Sequence, residues 1–76
     1  MKRNLYRAIK SLDRINGYEP IICSKHLQQF RFCINNYSME LNDKVLKIAK
    51  STHTTIEMIE CKQEEQRMKA TFKLTY

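Results

Sequence analysis

The sequence contains few of the residues that break or cross-link a chain: one glycine, one proline and three cysteines among 76 residues. So little glycine and proline excludes collagen-like and linker-like chains, and it also excludes the glycine-rich loop that cradles nucleotide phosphates. No apolar run approaches the roughly 20 residues that a membrane-spanning helix needs. The first charges are not followed by the apolar segment of a secretory signal. We therefore expect one small globular domain over residues 1–76, with a thin core.

An odd number of cysteines argues against a disulfide framework. Cys23, Cys33 and Cys61 lie in segments with strand patterns, where a free cysteine usually packs as a small hydrophobe. We expect all three to be reduced and the protein to be cytoplasmic. Together with His26 and His53 they offer enough nitrogen and sulfur for zinc, but their spacing lacks the paired knuckles of a structural site. The sequence therefore predicts neither a metal nor a cofactor.

Catalytic patterns are also lacking. Nothing in the sequence places Cys33 or Cys61 beside a histidine. Simple alternation places Glu57 and Glu60 on opposite faces of one strand, so they do not form a pair of carboxylates. We expect a protein that is not an enzyme.

Two segments have the period of an amphipathic helix. The first covers residues 3–15 and is followed by Asn16-Gly17, which we interpret as its C-terminal stop. Its apolar stripe consists of Leu5, Ala8, Ile9, Leu12 and Ile15. The second helix begins after Ser38 or Asn42 as the N-cap. Its inner stripe consists of Leu41, Val45, Ile48, Ala49 and Thr52.

Four segments alternate as strands do. Residues 19–24 and 29–35 form a predicted hairpin, with Phe30, Phe32 and Ile34 on one face and with Arg31 and Cys33 on the other. Residues 55–62 and 67–76 form a second hairpin across a polar loop at 63–66. The last strand alternates best. Its apolar face consists of Met68, Ala70, Phe72, Leu74 and Tyr76.

These elements predict an α+β fold: a two-layer sandwich of order αββαββ, with both helices on one face of a four-stranded, mostly antiparallel sheet. The same order arises when the first strand of a ferredoxin-like βαββαβ arrangement is moved to the end. The sequence leaves the pairing of the strands open.

Positive charge is the strongest functional indication. Fourteen Lys and Arg against eight Asp and Glu give a net charge of +6. Four cations of the first helix, Arg3, Arg7, Lys10 and Arg14, fall within about 60° of one another, opposite the apolar stripe. They form a predicted line roughly 16 Å long, which suits successive phosphates of a nucleic-acid strand. The alternative interpretation is an ordinary solvated helix face.

Further cations widen this predicted surface. Lys44 and Lys47 lie on the second helix, and the outer face of the last strand carries Arg67, Lys69 and Lys73, with Arg31 as a possible neighbour. Lysine on a strand also deters aggregation, and Glu57 can pair with one of these cations across the sheet. The phenylalanines lie on the core-facing alternation, so no aromatic platform for stacking bases is expected. The tyrosines at the rim of the core, Tyr6, Tyr18 and Tyr37, remain candidates for a stacking contact.

We therefore expect a small, non-enzymatic, basic protein that binds RNA or DNA through backbone phosphates. The alternative is an accessory or inhibitor protein of phage or mobile-element type that binds an acidic surface of a host protein. A composition rich in Lys, Ile and Asn suits an AT-rich genome, as a phage or mobile element can have. Exposed strand edges also allow a homodimer. Membrane binding is not expected, because the first helix lacks Trp and Phe on its apolar face.

Overall fold

The computed structural model describes residues 3–24 and 29–75. Within these residues the chain forms two helices and four strands in the predicted order, and the predicted α+β class is confirmed. The elements are α1 (Arg3–Leu12), β1 (Tyr18–Ser24), β2 (Gln29–Asn35), α2 (Met39–Thr52), β3 (Thr55–Glu64) and β4 (Arg67–Thr75). The predictions for His26 and Tyr76 fall outside the described residues.

The four strands form one sheet in the order β1-β2-β4-β3, in which each neighbouring pair is antiparallel. Strands β2 and β3 therefore run parallel to one another with β4 between them, and α2 connects them as a split β-α-β unit. This is the strand order that the rearranged ferredoxin-like arrangement requires. The pairing that the sequence left open is thus fixed by the crossover through α2.

Both helices cover one face of the sheet, and the core lies between these two layers. At its centre Phe32 of β2 lies opposite Phe72 of β4 in the register, and the two rings stack with 5.2 Å between their centroids. Both strands place every second side chain in this layer, as predicted. The helices, the turn after α1 and the two central strands contribute Leu5, Ala8, Leu12, Ile15, Phe30, Phe32, Ile34, Val45, Ala70, Phe72 and Leu74.

The first helix ends three residues earlier than predicted. Its last residue is Leu12. The backbone N–H of Asp13 still donates a helix-type bond to Ile9 (3.0 Å). The bonds after it are those of tighter turns: the backbone N–H of Arg14 donates to Ser11 (3.2 Å), and that of Ile15 donates to Leu12 (2.9 Å). Ile15 is nevertheless buried, as its place in the apolar stripe predicted. The chain therefore leaves the helix before its last core residue. Arg14 lies in this turn and not on the outer face of α1.

Gly17 does not stop the helix, so that interpretation is wrong. It lies five residues beyond Leu12, has a φ of 92°, and accepts a hydrogen bond from the Asn35 backbone N–H at 2.9 Å. A Cβ at this position would overlap the carbonyl oxygen of Asn35. Glycine is needed here because its φ is positive and because the chain just before β1 lies beside the end of β2, too close for a side chain.

The second helix begins where one of its two candidate caps predicted. The Ser38 hydroxyl accepts a hydrogen bond from the backbone N–H of Leu41 at 3.3 Å, which makes Ser38 and not Asn42 the N-cap. At the other end, His53 adopts the left-handed conformation with a φ of 55° and ends the helix. The predicted inner stripe is confirmed: Val45 and Thr52 are buried, and the rest of the stripe is half-buried.

Strand β3 contains a bulge that the alternation did not predict. Met58 lies opposite Phe72 and Glu60 lies opposite Thr71, which leaves Ile59 as the extra residue. Beyond the bulge the faces of the strand exchange. Glu60 therefore shares the open face with Glu57, and Cys61 moves to the helix side. The predicted placement of Glu60 and Cys61 is wrong for this reason. The strand also continues to Glu64, so the turn is limited to residues 65 and 66.

We expect the Phe72→Ala substitution to lower the free energy of unfolding by roughly 3–5 kcal/mol, because it leaves a cavity against Phe32 and Tyr37. A loss of that size is most of the stability of such a small domain. Urea denaturation followed by circular dichroism would measure it. Lys73→Ala, on the open face of the same strand, is the control and should change stability by less than about 0.5 kcal/mol. An unchanged midpoint for Phe72→Ala would contradict the assigned inner face.

Candidate functional site

The predicted line of four cations divides where α1 ends. Arg3, Arg7 and Lys10 lie exposed on the outer face of α1, as predicted. The Lys10 ammonium lies 5.0 Å from the centroid of the half-exposed Tyr6 ring, within the range of a cation–π contact. Arg14 belongs to the turn after Leu12, so a line of four along one helix is not formed.

A cleft between α1 and α2 brings Arg14 to the cations of the second helix. The cleft has a volume of about 370 Å³ and is lined by Ser11, Arg14, Ile15, Lys44, Lys47 and Ile48. The two isoleucines provide an apolar floor, and Ser11 is the uncharged polar residue of the lining. We call Arg14, Lys44 and Lys47 the cleft cations. The sequence predicted each of them separately, but no spacing in the sequence indicated that they meet.

The cleft cations have little compensation from nearby acids. The Lys44 ammonium lies 4.0 Å from Glu40 Oε1, and both side chains are well exposed, so this pair contributes little. Among the described residues, Arg14 and Lys47 have no carboxylate within 4.0 Å. Three like charges around one small volume create a positive potential there. An anion in the cleft would interact favourably with all three.

Positive charge is concentrated on the helix layer of the protein. The outer surfaces of α1, α2 and the turn after α1 hold seven cations against three acids: Arg3, Arg7, Lys10, Arg14, Lys44, Lys47 and Lys50 against Asp13, Glu40 and Asp43. The register places five cations against four acids on the open face of the sheet: Arg31, Lys62, Arg67, Lys69 and Lys73 against Glu19, Glu57, Glu60 and Glu64. The helix layer is therefore the basic surface, and the open face is nearly balanced.

The strand cations lie among acids on this second surface. Lys73 of β4 lies opposite Arg31 on one side and opposite Glu57 on the other, so the predicted cross-strand partner of Glu57 is Lys73. The Lys62 ammonium lies 3.6 Å from Glu60 Oε1. Arg67, Lys69 and Lys73 therefore occupy the side of the molecule opposite the cleft, and the two predicted sets of cations do not come together.

The aromatic rings of the described residues give no stacking platform on the open face. Tyr18 and Tyr37 pack at the rim of the core against Phe32 and Phe72, respectively. The Tyr37 hydroxyl donates a hydrogen bond to Asn42 Oδ1 at 2.6 Å. Tyr6 is the exposed ring of the three, and it lies on the helix layer.

Cys33 lies on the open face, as predicted, and yet it is buried. Glu19 covers it: one carboxylate oxygen accepts a hydrogen bond from Asn35 Nδ2 at 3.2 Å and a weak one from the Cys33 thiol at 3.8 Å. Burial raises the pKa of the Cys33 thiol, the charge of Lys69 lowers it, and Glu19 raises it further. The thiol is therefore kept protonated and shielded, which does not suit a nucleophile.

Other site types find little support in the described part of the chain. Within residues 3–24 and 29–75, no three His, Cys, Asp or Glu side chains are grouped as metal ligands. Cys33 and Cys61 are free thiols. Neither described helix is long and apolar enough to cross a membrane.

The two free thiols that the structure describes, Cys33 and Cys61, should differ in reactivity. We expect iodoacetamide to modify the exposed Cys61 faster than the buried Cys33 in the native protein. Because the pKa of Cys33 is raised, its modification should remain slow at a pH where an ordinary thiol has already ionised. Peptide mapping by mass spectrometry after a timed reaction at several pH values would measure both rates. Equal rates at the two positions would contradict the burial of Cys33 under Glu19.

Comparisons with protein-family models, with curated proteins and with solved structures find no match to this chain. No residue role can therefore be transferred to it from another protein. The cleft between α1 and α2, together with the basic helix layer around it, is the site that its own charges and geometry identify.

Proposed function

We propose that this protein is a non-enzymatic, cytoplasmic protein that binds RNA or DNA through backbone phosphates, and that it uses the helix layer. The observation that carries the proposal is the cleft, where Arg14 from one helix end and Lys44 and Lys47 from the other helix surround one small volume. Arg3, Arg7 and Lys10 extend the same positive surface along α1. A nucleic-acid strand is the common polyanion that would use both parts.

The residue types in the cleft suit a phosphate. The planar guanidinium of Arg14 can donate two parallel hydrogen bonds to phosphate oxygens, whereas each lysine provides a compact charge. Lys44 and Lys47 are three residues apart on one helix flank, so their Cβ atoms lie about 5–6 Å apart. The Ser11 hydroxyl is a further donor. The apolar floor keeps water from one side of the anion, which strengthens its interaction with these charges.

The proposed contact depends on charge and not on base identity. The cleft lining has no aromatic ring and no Asn or Gln to read a base edge. Tyr6 is exposed beside Lys10 and is available to stack on one base, which adds affinity with little sequence preference. We therefore expect binding that depends strongly on salt and weakly on sequence.

One observation favours the alternative partner, an acidic surface of a host protein bound by an accessory or inhibitor protein of phage or mobile-element type. The floor of the cleft consists of Ile15 and Ile48, and a phosphate gains no hydrophobic contact from apolar side chains. An acidic protein segment with an apolar side chain between its carboxylates would use both the floor and the cations.

The Lys44→Glu, Lys47→Glu double variant tests the proposed function. We expect the parent to bind labelled single-stranded RNA, single-stranded DNA or duplex DNA at low salt in fluorescence anisotropy. The variant should bind at least about tenfold more weakly, because two phosphate contacts become repulsive. The slope of log K against log salt should become less negative by about 1.4 for single strands or 1.8 for a duplex.

The matched control is the Arg67→Glu, Lys69→Glu double variant on the open face of the sheet. Each double variant lowers the net charge from +6 to +2. A loss of affinity that depends on net charge alone would therefore be equal in the two variants. A larger loss for the open-face pair would assign binding to the sheet. If the parent binds none of the three nucleic acids at low salt, the nucleic-acid proposal is wrong. A host protein captured after nuclease treatment, and lost with Lys44→Glu, Lys47→Glu, would then support the alternative.

A further inference from the structure

The two edges of the sheet differ in how well they are protected. Edge strand β1 contains Pro20, which has no N–H to donate, and its register shifts at Ile21. Edge strand β3 is ten residues long and contains no proline, and all of its side chains except Ile56 are exposed. One row of its backbone N–H and C=O groups faces away from β4. The β3 edge is therefore a template for a further strand.

Exposed apolar side chains accompany this edge. Met58 is 42% exposed and Ile59 is 47% exposed on β3 itself. On α2, Leu46 is 53% exposed and lies about 100° around the helix from the buried Val45, on the flank opposite Lys44. Since Lys44 faces the cleft with α1, the Leu46 flank faces the β3 side. An element that pairs with β3 would cover part of this apolar surface.

The bulge at Ile59 restricts how β3 can pair with a copy of itself. Before the bulge the open face carries Thr55 and Glu57, and after the bulge it carries Glu60, Lys62 and Glu64. When two copies of β3 pair antiparallel across a two-fold axis, open-face residues must lie opposite open-face residues. A shift of the register by one residue breaks this match, so the allowed registers differ by two residues. One such register places Glu57 opposite Lys62 of the partner subunit. A shift by two residues in either direction places Glu57 opposite the partner's Glu60 or the partner's Glu64.

We propose that the protein forms a homodimer in which β3 pairs antiparallel with the partner's β3, with Glu57 opposite the partner's Lys62. The two-fold axis makes this ion pair twice. The same register places Met58 opposite the partner's Cys61, and both side chains lie on the helix side. Within one subunit Lys62 lies opposite Lys69, which is a like-charge pair. Glu60 of the same subunit offsets part of this repulsion, and the partner's Glu57 would offset more of it. The dimer does not depend on the nucleic-acid proposal.

Sedimentation equilibrium over a range of protein concentrations tests this interface. We expect the parent to associate reversibly from 9.1 kDa to twice that mass. Glu57→Lys and Lys62→Glu should each weaken dimerisation roughly tenfold or more, because each places like charges opposite one another twice. The double variant with both substitutions should restore the dimer, since it exchanges the partners of the same pair. Glu64→Lys is the matched control for Glu57→Lys and should leave the dimer intact, because Glu64 lies opposite the partner's Thr55.

Circular dichroism would confirm that each variant keeps the fold, since these side chains are exposed. A parent that stays monomeric at every concentration would overturn the dimer. A dimer that neither single variant weakens would overturn the use of β3. Weakening by both single variants without recovery in the double variant would overturn the proposed register.

Discussion

A single apolar layer between the helices and one face of the sheet determines the rest of this structure. In 76 residues there are enough large apolar side chains for one such layer, and its centre is the stacked pair Phe32 and Phe72. The strands therefore alternate between apolar and polar residues, and each helix has one apolar stripe. The exposed charged side chains of the described elements divide mainly between two outer surfaces, the helix layer and the open face of the sheet. The proposed function depends on how charge divides between them.

The cleft follows from the same layer. The last helix-type hydrogen bond is that from Asp13 to Ile9, but Ile15 is still held in the core by two tighter turns. Between Leu12 and Ile15 the chain turns toward α2 and carries Arg14 with it. Arg14 then lies across a small gap from Lys44 and Lys47, with Ile15 and Ile48 beneath them. The burial of Ile15 in the core thus places three cations around one cleft.

Much of the fold could be predicted from local patterns. Apolar residues recur about every four positions in the helices and every two in the strands, and these two periods identified all six elements. Ser38 was one of the two predicted N-caps of the second helix. The bulge could not be predicted, because Met58 and Ile59 are both apolar and either one fits the core side. The change of face after Ile59 depends on pairing with β4, which is a tertiary contact. The sequence likewise suggested that Gly17 ends the helix. Its close approach to Asn35 could not be predicted, because it depends on the pairing of β1 with β2.

The candidate site could be predicted only in part. The exposure of Arg3, Arg7 and Lys10 could be predicted, because their spacing places them opposite the apolar stripe of one helix. The grouping of Arg14 with Lys44 and Lys47 depends on how two helices pack, so it has no local signal. The balance of charge on the open face also needed the register, because Glu57 and Glu60 reach that face together only through the bulge.

Nuclear magnetic resonance can locate the binding surface in a single titration. In a ¹⁵N-labelled sample titrated with a short single-stranded oligonucleotide at low salt, we expect the largest shifts at the amides of Ser11, Arg14, Lys44 and Lys47. The amides of β4, on the opposite layer, should move little. Shifts concentrated between Arg67 and Lys73, or no shifts at any concentration of oligonucleotide, would contradict the assignment of nucleic-acid binding to the helix layer.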